Sequence, residues 1–191
     1  LEASRLRHEY LAITDHSPRL RVANGLSRER RLAQVAHLRA LDAQLDGFTV
    51  LAGIEVDILD DGSLDADDDV LAGLDVVVAS VHNKLAMDAE AMTARMVRAI
   101  ANPHVDILGH CTGRLVAGDR GTRPPSHFDA EVVFEACRQF GVAVEINARP
   151  ERQDPPDDLL ALAASMGCLF SIDTDAHAPG QLEFVALGAS R

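Results

Sequence analysis

The stretch "CLFSIDTDAH", Cys168–His177, begins as an apolar run and ends with Asp173, Asp175 and His177 at alternate positions. Its first half reads as a buried β-strand. Its second half is either a polar turn or a metal site at the mouth of a barrel. The choice depends on whether the pattern recurs, and it does. "YLAIT" (Tyr10–Thr14) runs into Asp15 and His16. "FTVLAGIEV" (Phe48–Val56) carries Glu55. "DVVVASV" (Asp75–Val81) runs into His82, and "VDILG" (Val105–Gly109) into His110. "VAVEI" (Val142–Ile146) carries Glu145 and stops at Asn147.

These strands are β-branched and apolar on both faces, as in a parallel sheet covered by helices. Helical patterns separate them. Ser27 can cap a helix with Leu32, Val35, Leu38, Leu41 and Leu45 at helical spacing, stopping at Gly47. Asp88 opens a second helix, which ends before Pro103. Asp129 opens a third, ended by Gly141. Prolines start and a glycine ends "PPDDLLALAASMG". A short helix is expected near Asp67–Leu74. Strand and helix alternating in this way mean βαβ units. A barrel and an open doubly wound sheet both fit. No GxGxxG follows the first strand and no GxxxxGK[ST] occurs, which disfavours a nucleotide-binding open sheet.

The 191 residues, 47% of them hydrophobic, suit one domain spanning 1–191. No apolar run is long enough to cross a membrane, and no secretory leader opens the chain. Cys111, Cys137 and Cys168 form no CxxC pair. They are expected to be reduced and half-buried in a cytoplasmic protein. The net charge of −12 opposes a phosphate backbone at long range, and one Tyr with no Trp leaves few rings to stack on bases. A stand-alone nucleic-acid binder is therefore disfavoured, and a small phosphorylated substrate is not.

In parallel α/β folds the carboxyl ends of the strands carry the site. Four of the eight histidines, His16, His82, His110 and His177, lie there. With Glu55 and Asp175 they form a mixed nitrogen and oxygen set suited to Zn, Mn or Fe. Six ligands exceed the needs of one tetrahedral ion, so two or more are expected. A lone histidine after a strand is ordinarily a packing residue; recurrence in successive units is what carries the reading. His8, His37, His104 and His127 fall elsewhere and read as surface or packing residues. Eight of the 18 Lys and Arg follow the ligands: Arg19, Arg21, Lys84, Arg114, Arg120, Arg123, Arg149 and Arg152. A guanidinium fork matches phosphate oxygens. The acidic run "DILDDGSLDADDD" after Val56 reads as a solvated loop.

The motifs "AITDHS", "GIEVDIL", "SVH", "GH-x-TGR", "EIN" and "DTDAH", in this order along nearly the whole chain, resemble the polymerase and histidinol phosphatase (PHP) family. They look closest to the PHP module of bacterial family X DNA polymerases. The resemblance implies an α/β fold, a distorted (β/α)7 TIM-like barrel, and hydrolysis of phosphate esters with up to three Mn, Zn or Fe ions. It places His16, Glu55, His82, His110, Asp175 and His177 at ligand positions. From their placement, Lys84, Arg114 and Arg149 are expected to contact substrate phosphate. Asp15, Asn147 and Asp173 are expected to orient the ligand imidazoles.

The family's opening His-X-His strand is absent, and the chain stops where another helix is expected. The expectation is a barrel lacking its first strand and terminal helix, part of a longer protein, with a polymerase domain one option for the remainder. "HCTGR" stands for the family's "HPTGR", so Cys111 is either a packing substitute or a soft ligand. The expected reaction is attack by metal-activated hydroxide at a multinuclear site. The substrate is either a small monoester, which charge and scarce aromatics favour, or the 3′ end of DNA, as in a 3′–5′ exonuclease module. A catalytically silent module supporting a polymerase is the remaining alternative.

Overall fold

A computed structural model describes residues 2–118 and 121–191. Arg120, one of the mouth cations expected from sequence, lies outside the described residues. Six strands form one parallel sheet in strictly sequential order, β1 to β6. They are β1 (Tyr10–Ile13), β2 (Thr49–Asp57), β3 (Val76–Ser80), β4 (Ile107–Leu108), β5 (Ala143–Asn147) and β6 (Phe170–Asp173). Each strand adds beside the last, with no reversal of order. Right-handed crossovers then place successive helices on the same face, and the twisted sheet curls as a half-barrel. That order rules out the open doubly wound alternative, which needs a switch point.

The helices are α1 (Glu2–Arg5), α2 (Arg28–Asp42), α3 (Asp68–Leu71), α4 (Ala89–Ile100), α5 (Ala130–Phe140), α6 (Asp157–Ser165) and α7 (Val185–Ala189). Ser27, Asp88 and Asp129 cap α2, α4 and α5 by accepting from the backbone N–H three residues on. Gly141 closes α5 in the left-handed region, where no Cβ is tolerated cheaply. Pro156 is the residue before α6 rather than inside it. The expected missing terminal helix is corrected: a 3-10 turn at Pro179–Phe184 leads into the short α7.

The expectation of strands apolar on both faces holds for one face only. On β2, Val50, Ala52, Ile54 and Val56 are buried toward the helices. The alternate residues Gly53, Glu55 and Asp57 face the barrel interior. Parallel register sets Glu55 beside Val78, Asp57 beside Ser80, Glu145 beside Ser171 and Asn147 beside Asp173. The interior face is thus polar at its carboxyl end. The core lies on the other face, where Met92, Met96, Val133 and Phe134 of α4 and α5 pack on Ile54, Val77, Leu108 and Val144. Burying each of these side chains contributes about 1.5–3 kcal/mol.

The α2 stripe is only partly covered. Val35 and Leu38 pack on Val50 and Ala52, while Leu32, Leu41 and Leu45 stay exposed. The helix ends at Asp42, short of Gly47. It packs on β2, next to the edge strand β1, so only one flank meets the sheet. The three cysteines are free and buried rather than half-buried.

Two buried arginines tie helices to loops. Arg31, in the first turn of α2, donates to the carbonyls of Asp15 (2.6 Å), His16 (3.1 Å) and Gly53 (3.0 Å). Arg95 of α4, 2% exposed, donates to the Leu59 carbonyl at 2.9 Å, to the Asn83 carbonyl at 3.1 Å and to that of Ile58. It therefore joins the loops after β2 and β3. Arg95→Met leaves these acceptors unpaired and is expected to cost about 3 kcal/mol. For a domain of this size the melting temperature should fall by about 6–12 °C. A loss within 2 °C of wild type, by calorimetry or circular dichroism, contradicts the role.

Candidate metal centre

The centre is built around Glu55, whose side chain is 13% exposed. His16 Nδ1 lies 3.2 Å from its Oε2, and His82 Nε2 and His110 Nε2 lie 3.1 and 3.0 Å from its Oε1. The imidazole of His82 is edge-on to both others, at 5.2 Å from His16 and 5.1 Å from His110 between centroids. Four residues from four consecutive strand ends thus meet at one point.

Local backbone explains the convergence. His16 pairs with Glu55 as a β-bridge, and Ser17 continues the pairing: its N–H donates to the Glu55 carbonyl, and its hydroxyl accepts from the Asp57 N–H. Gly109 lets β4 approach β3, since a Cβ there would lie 2.2 Å from Ser80 Oγ. His110 follows with φ 20°, and Asp175 has φ 49°. Lys84 and Gln153 at the same mouth also have positive φ. Such conformations cluster where surrounding structure over-determines them, functional sites included.

Asp175 and His177 form the second half. His177 Nδ1 lies 3.5 Å from Asp175 Oδ1, and its ring is 6.4 Å from that of His16. Arg149 Nη1 reaches both the Asp175 carbonyl (3.1 Å) and His177 Nδ1 (3.0 Å). All six expected ligand residues therefore stand along one continuous set of contacts.

Electrostatics separate the carboxylates. Burial raises Glu55, but His110 and His82 outweigh it and hold its carboxyl well below the usual range. Burial pushes Glu145 well up, reinforced by Asp173, Asp175 and Glu55. Burial also raises Asp173, opposed by the Ser171 hydroxyl. His16 is lowered by burial against the pull of Glu55. A neutral imidazole and an ionised carboxylate are the forms that bind a cation.

A divalent ion fits this set on the protein's own geometry. His16 Nδ1, His82 Nε2 and His110 Nδ1 are buried and make no hydrogen bond among the described residues. One ligand atom from each of His16, Glu55 and His82 lies within 4.8 Å of the others. Nitrogen donors without hydrogen-bond partners beside an ionised carboxylate match the borderline chemistry of Zn, Mn or Fe.

The supporting residues differ from expectation. Asp15 orients no imidazole; its exposed carboxylate accepts from Gln34 Nε2 of α2 at 2.5 Å. Asn147 donates to Asp175 Oδ2 (3.4 Å) and to Glu145 Oε1 (3.3 Å), so it holds carboxylates rather than rings. Asp173 accepts from Ser171 at 2.8 Å and its Oδ2 has no partner among the described residues. The residue that orients an imidazole is Asp57, 3% exposed, whose Oδ1 contacts His82 Nδ1. It belongs to the run read as solvated loop. Its i+2 spacing from Glu55 on the same strand face was the available signal.

The cations also sort themselves. Lys84 is exposed and pairs with Asp60 at 2.6 Å. Arg114 turns away from an open fork: Nε donates to the Arg152 carbonyl at 3.2 Å and Nη2 to that of Gln153. It holds a loop, with its guanidinium on those carbonyls and its backbone N–H on Asp154. Cys111 is packed, with its thiol 3.8 Å from Asp154 Oδ1 and pushed well up by burial beside that carboxylate.

No family profile matches the chain. The chain is 41% identical over 183 residues to the DNA polymerase/3′-5′ exonuclease PolX of Bacillus subtilis, covering 96% of this chain and 31% of that protein. It is 30% identical over 186 residues to a protein of Thermoanaerobacter sp. named probable phosphatase, covering 92% of this chain and 69% of that one. Among solved structures it resembles a Listeria monocytogenes chain named for histidinol phosphatase, with a TM-score of 0.65 at 14% identity, over 95% of this chain and 88% of that one. The chain spans about a third of the polymerase and about two thirds of the phosphatase. With these relatives and the six motifs at one strand-end site, the chain belongs to the PHP family.

Proposed function

We propose that this chain is a metal-dependent phosphoesterase domain, with its sheet part of a distorted (β/α)7 barrel. The observation that carries the reading is the convergence of three imidazoles on the Glu55 carboxylate, with the facing nitrogens of His16 and His82 free of hydrogen bonds among the described residues. His16, His82, His110 and Glu55 would hold one ion, and Asp175 and His177 a neighbouring one. Bound divalent ions supply positive charge for the phosphoryl oxygens and activate water at neutral pH. Asp57 keeps the His82 proton on Nδ1, which leaves Nε2 as the ligand atom. Arg149, half-buried beside His177, would turn its fork to the non-reacting phosphate oxygens, and Lys84 adds a mobile charge at the rim.

A DNA 3′ end is the second reading, favoured by 41% identity to PolX over nearly the whole chain. The same relative supports a polymerase segment in the longer protein. The charge of −12 favours a small monoester. Hydrolysis of p-nitrophenyl phosphate and histidinol phosphate, beside release of nucleotides from 3′-labelled DNA, separates the two. Asp175→Ala should lower whichever hydrolysis is observed by more than about 100-fold and lower bound metal with it. Normal turnover in that variant in metal-controlled buffer contradicts the ligand role. A wild type without metal or hydrolysis would favour the silent module.

The pH dependence follows from His82. Burial opposes its charge, but Asp57 and Glu55 prevail and raise it to about 9 in the metal-free protein. Its folded value lies above the ordinary 6.5. The interaction therefore stabilises the metal-free protein fully below about pH 6.5, and that stability is lost as pH rises through about 9. A ligand imidazole must be neutral, so metal affinity runs the other way and rises across this window. The melting temperature of chelator-treated wild type should fall relative to Asp57→Asn between pH 6.5 and 9. Manganese affinity of the wild type should climb over the same range; a flat profile contradicts the assignment.

A further inference from the structure

We propose that Arg152 is the positioning residue that fixes Asp175 for metal binding, and that the loop after β4 locks Arg152 in place. This rests on the metal-dependent reading above. Arg152 is 6% exposed, and its Nε donates to Asp175 Oδ2 at 3.0 Å. Asn147 Nδ2 reaches the same oxygen at 3.4 Å. Both donors fall on Oδ2, which leaves Oδ1 turned toward His177. A carboxylate held by one oxygen presents the other as a directed ligand.

The guanidinium acts through Asp175 and not on substrate. Its Nη1 is closed to solvent and has no hydrogen-bond partner among the described residues. A phosphate outside cannot reach it. Its charge instead lies against Asp175, with Nε 3.0 Å from Oδ2, so the pair is held together before any metal binds.

The backbone of Arg152 is held from the neighbouring loop. Its carbonyl accepts from Arg114 Nε, and the next carbonyl accepts from Arg114 Nη2. Two residues on, the buried Asp154 carboxylate accepts from Thr112 N (3.1 Å), Thr112 Oγ1 (2.8 Å) and Arg114 N (3.2 Å). The segment Thr112–Arg114 follows His110 directly. One cross-tie thus couples the loop bearing His110 to the arginine that holds Asp175, so the two halves of the metal centre keep a fixed relation. Arg114, with its fork on loop carbonyls, belongs to this tie.

Manganese titration of the whole chain, with melting temperatures on the same preparations, tests the proposal. Arg152→Met should weaken manganese binding by about 10- to 100-fold, the usual effect of losing a group that orients a ligand. Arg152→Lys should recover only part, because an ammonium lacks the fork. Because Arg152 acts through Asp175, the double variant Arg152→Met/Asp175→Asn should bind no more weakly than Asp175→Asn alone. Wild-type affinity in a folded Arg152→Met or Arg152→Lys protein overturns the proposal, as do losses that multiply in the double variant. If Arg152→Met fails to fold, the Lys variant decides by the same criterion. A wild type that binds no manganese would instead overturn the metal reading itself.

Discussion

A buried carboxylate must be neutralised, paired or bound to a cation. Glu55 is that carboxylate here, and the remainder of the site can be understood as its surroundings. It is largely buried yet held well below the usual carboxylate range, and three imidazoles from separate strand ends contact it. Two of the contacting nitrogens make no hydrogen bond to it. In the metal-free protein a protonated His82 offsets the charge of Glu55; a divalent ion can take over that role once the ring gives up its proton.

The fold supplies this geometry through sheet order. Sequential parallel strands bring every carboxyl end to one rim, so candidate ligands far apart in the chain become neighbours. The rim is made rigid from outside the sheet. Arg31 grips the carbonyls of Asp15 and His16, and Arg95 joins the loops after β2 and β3. Asp154 and Arg114 join those after β4 and β5. Each tie is a charged side chain on backbone atoms, which fixes loop position without occupying the mouth. The positive φ of His110 and Asp175 is held by the same scaffolding.

What could be read from sequence follows the periodic signals. Strand positions were legible because apolar runs of this length and composition have few other uses. Their order was not, since βαβ units fit both a barrel and an open sheet, and only the register decides. The six candidate ligand residues were legible because they recur at equivalent places. The supporting residues were not, because a carboxylate or guanidinium carries no periodic signature. Asp57 sits in an acidic run whose other members pair with Arg28, Lys84 and Arg98 or face solvent. Asp15 adjoins a ligand but faces α2, since the strand has ended and alternation no longer governs it. Arg114 sits four residues after His110, which is close enough for either a phosphate or a loop. Only its partners in space distinguish them.

The most direct measurement is anomalous diffraction from crystals of the chain grown with manganese, collected on both sides of the manganese absorption edge. The account predicts anomalous peaks between His16, Glu55, His82 and His110, and beside Asp175 and His177. No peak within ligand distance of Glu55, with manganese bound elsewhere or nowhere, would contradict it.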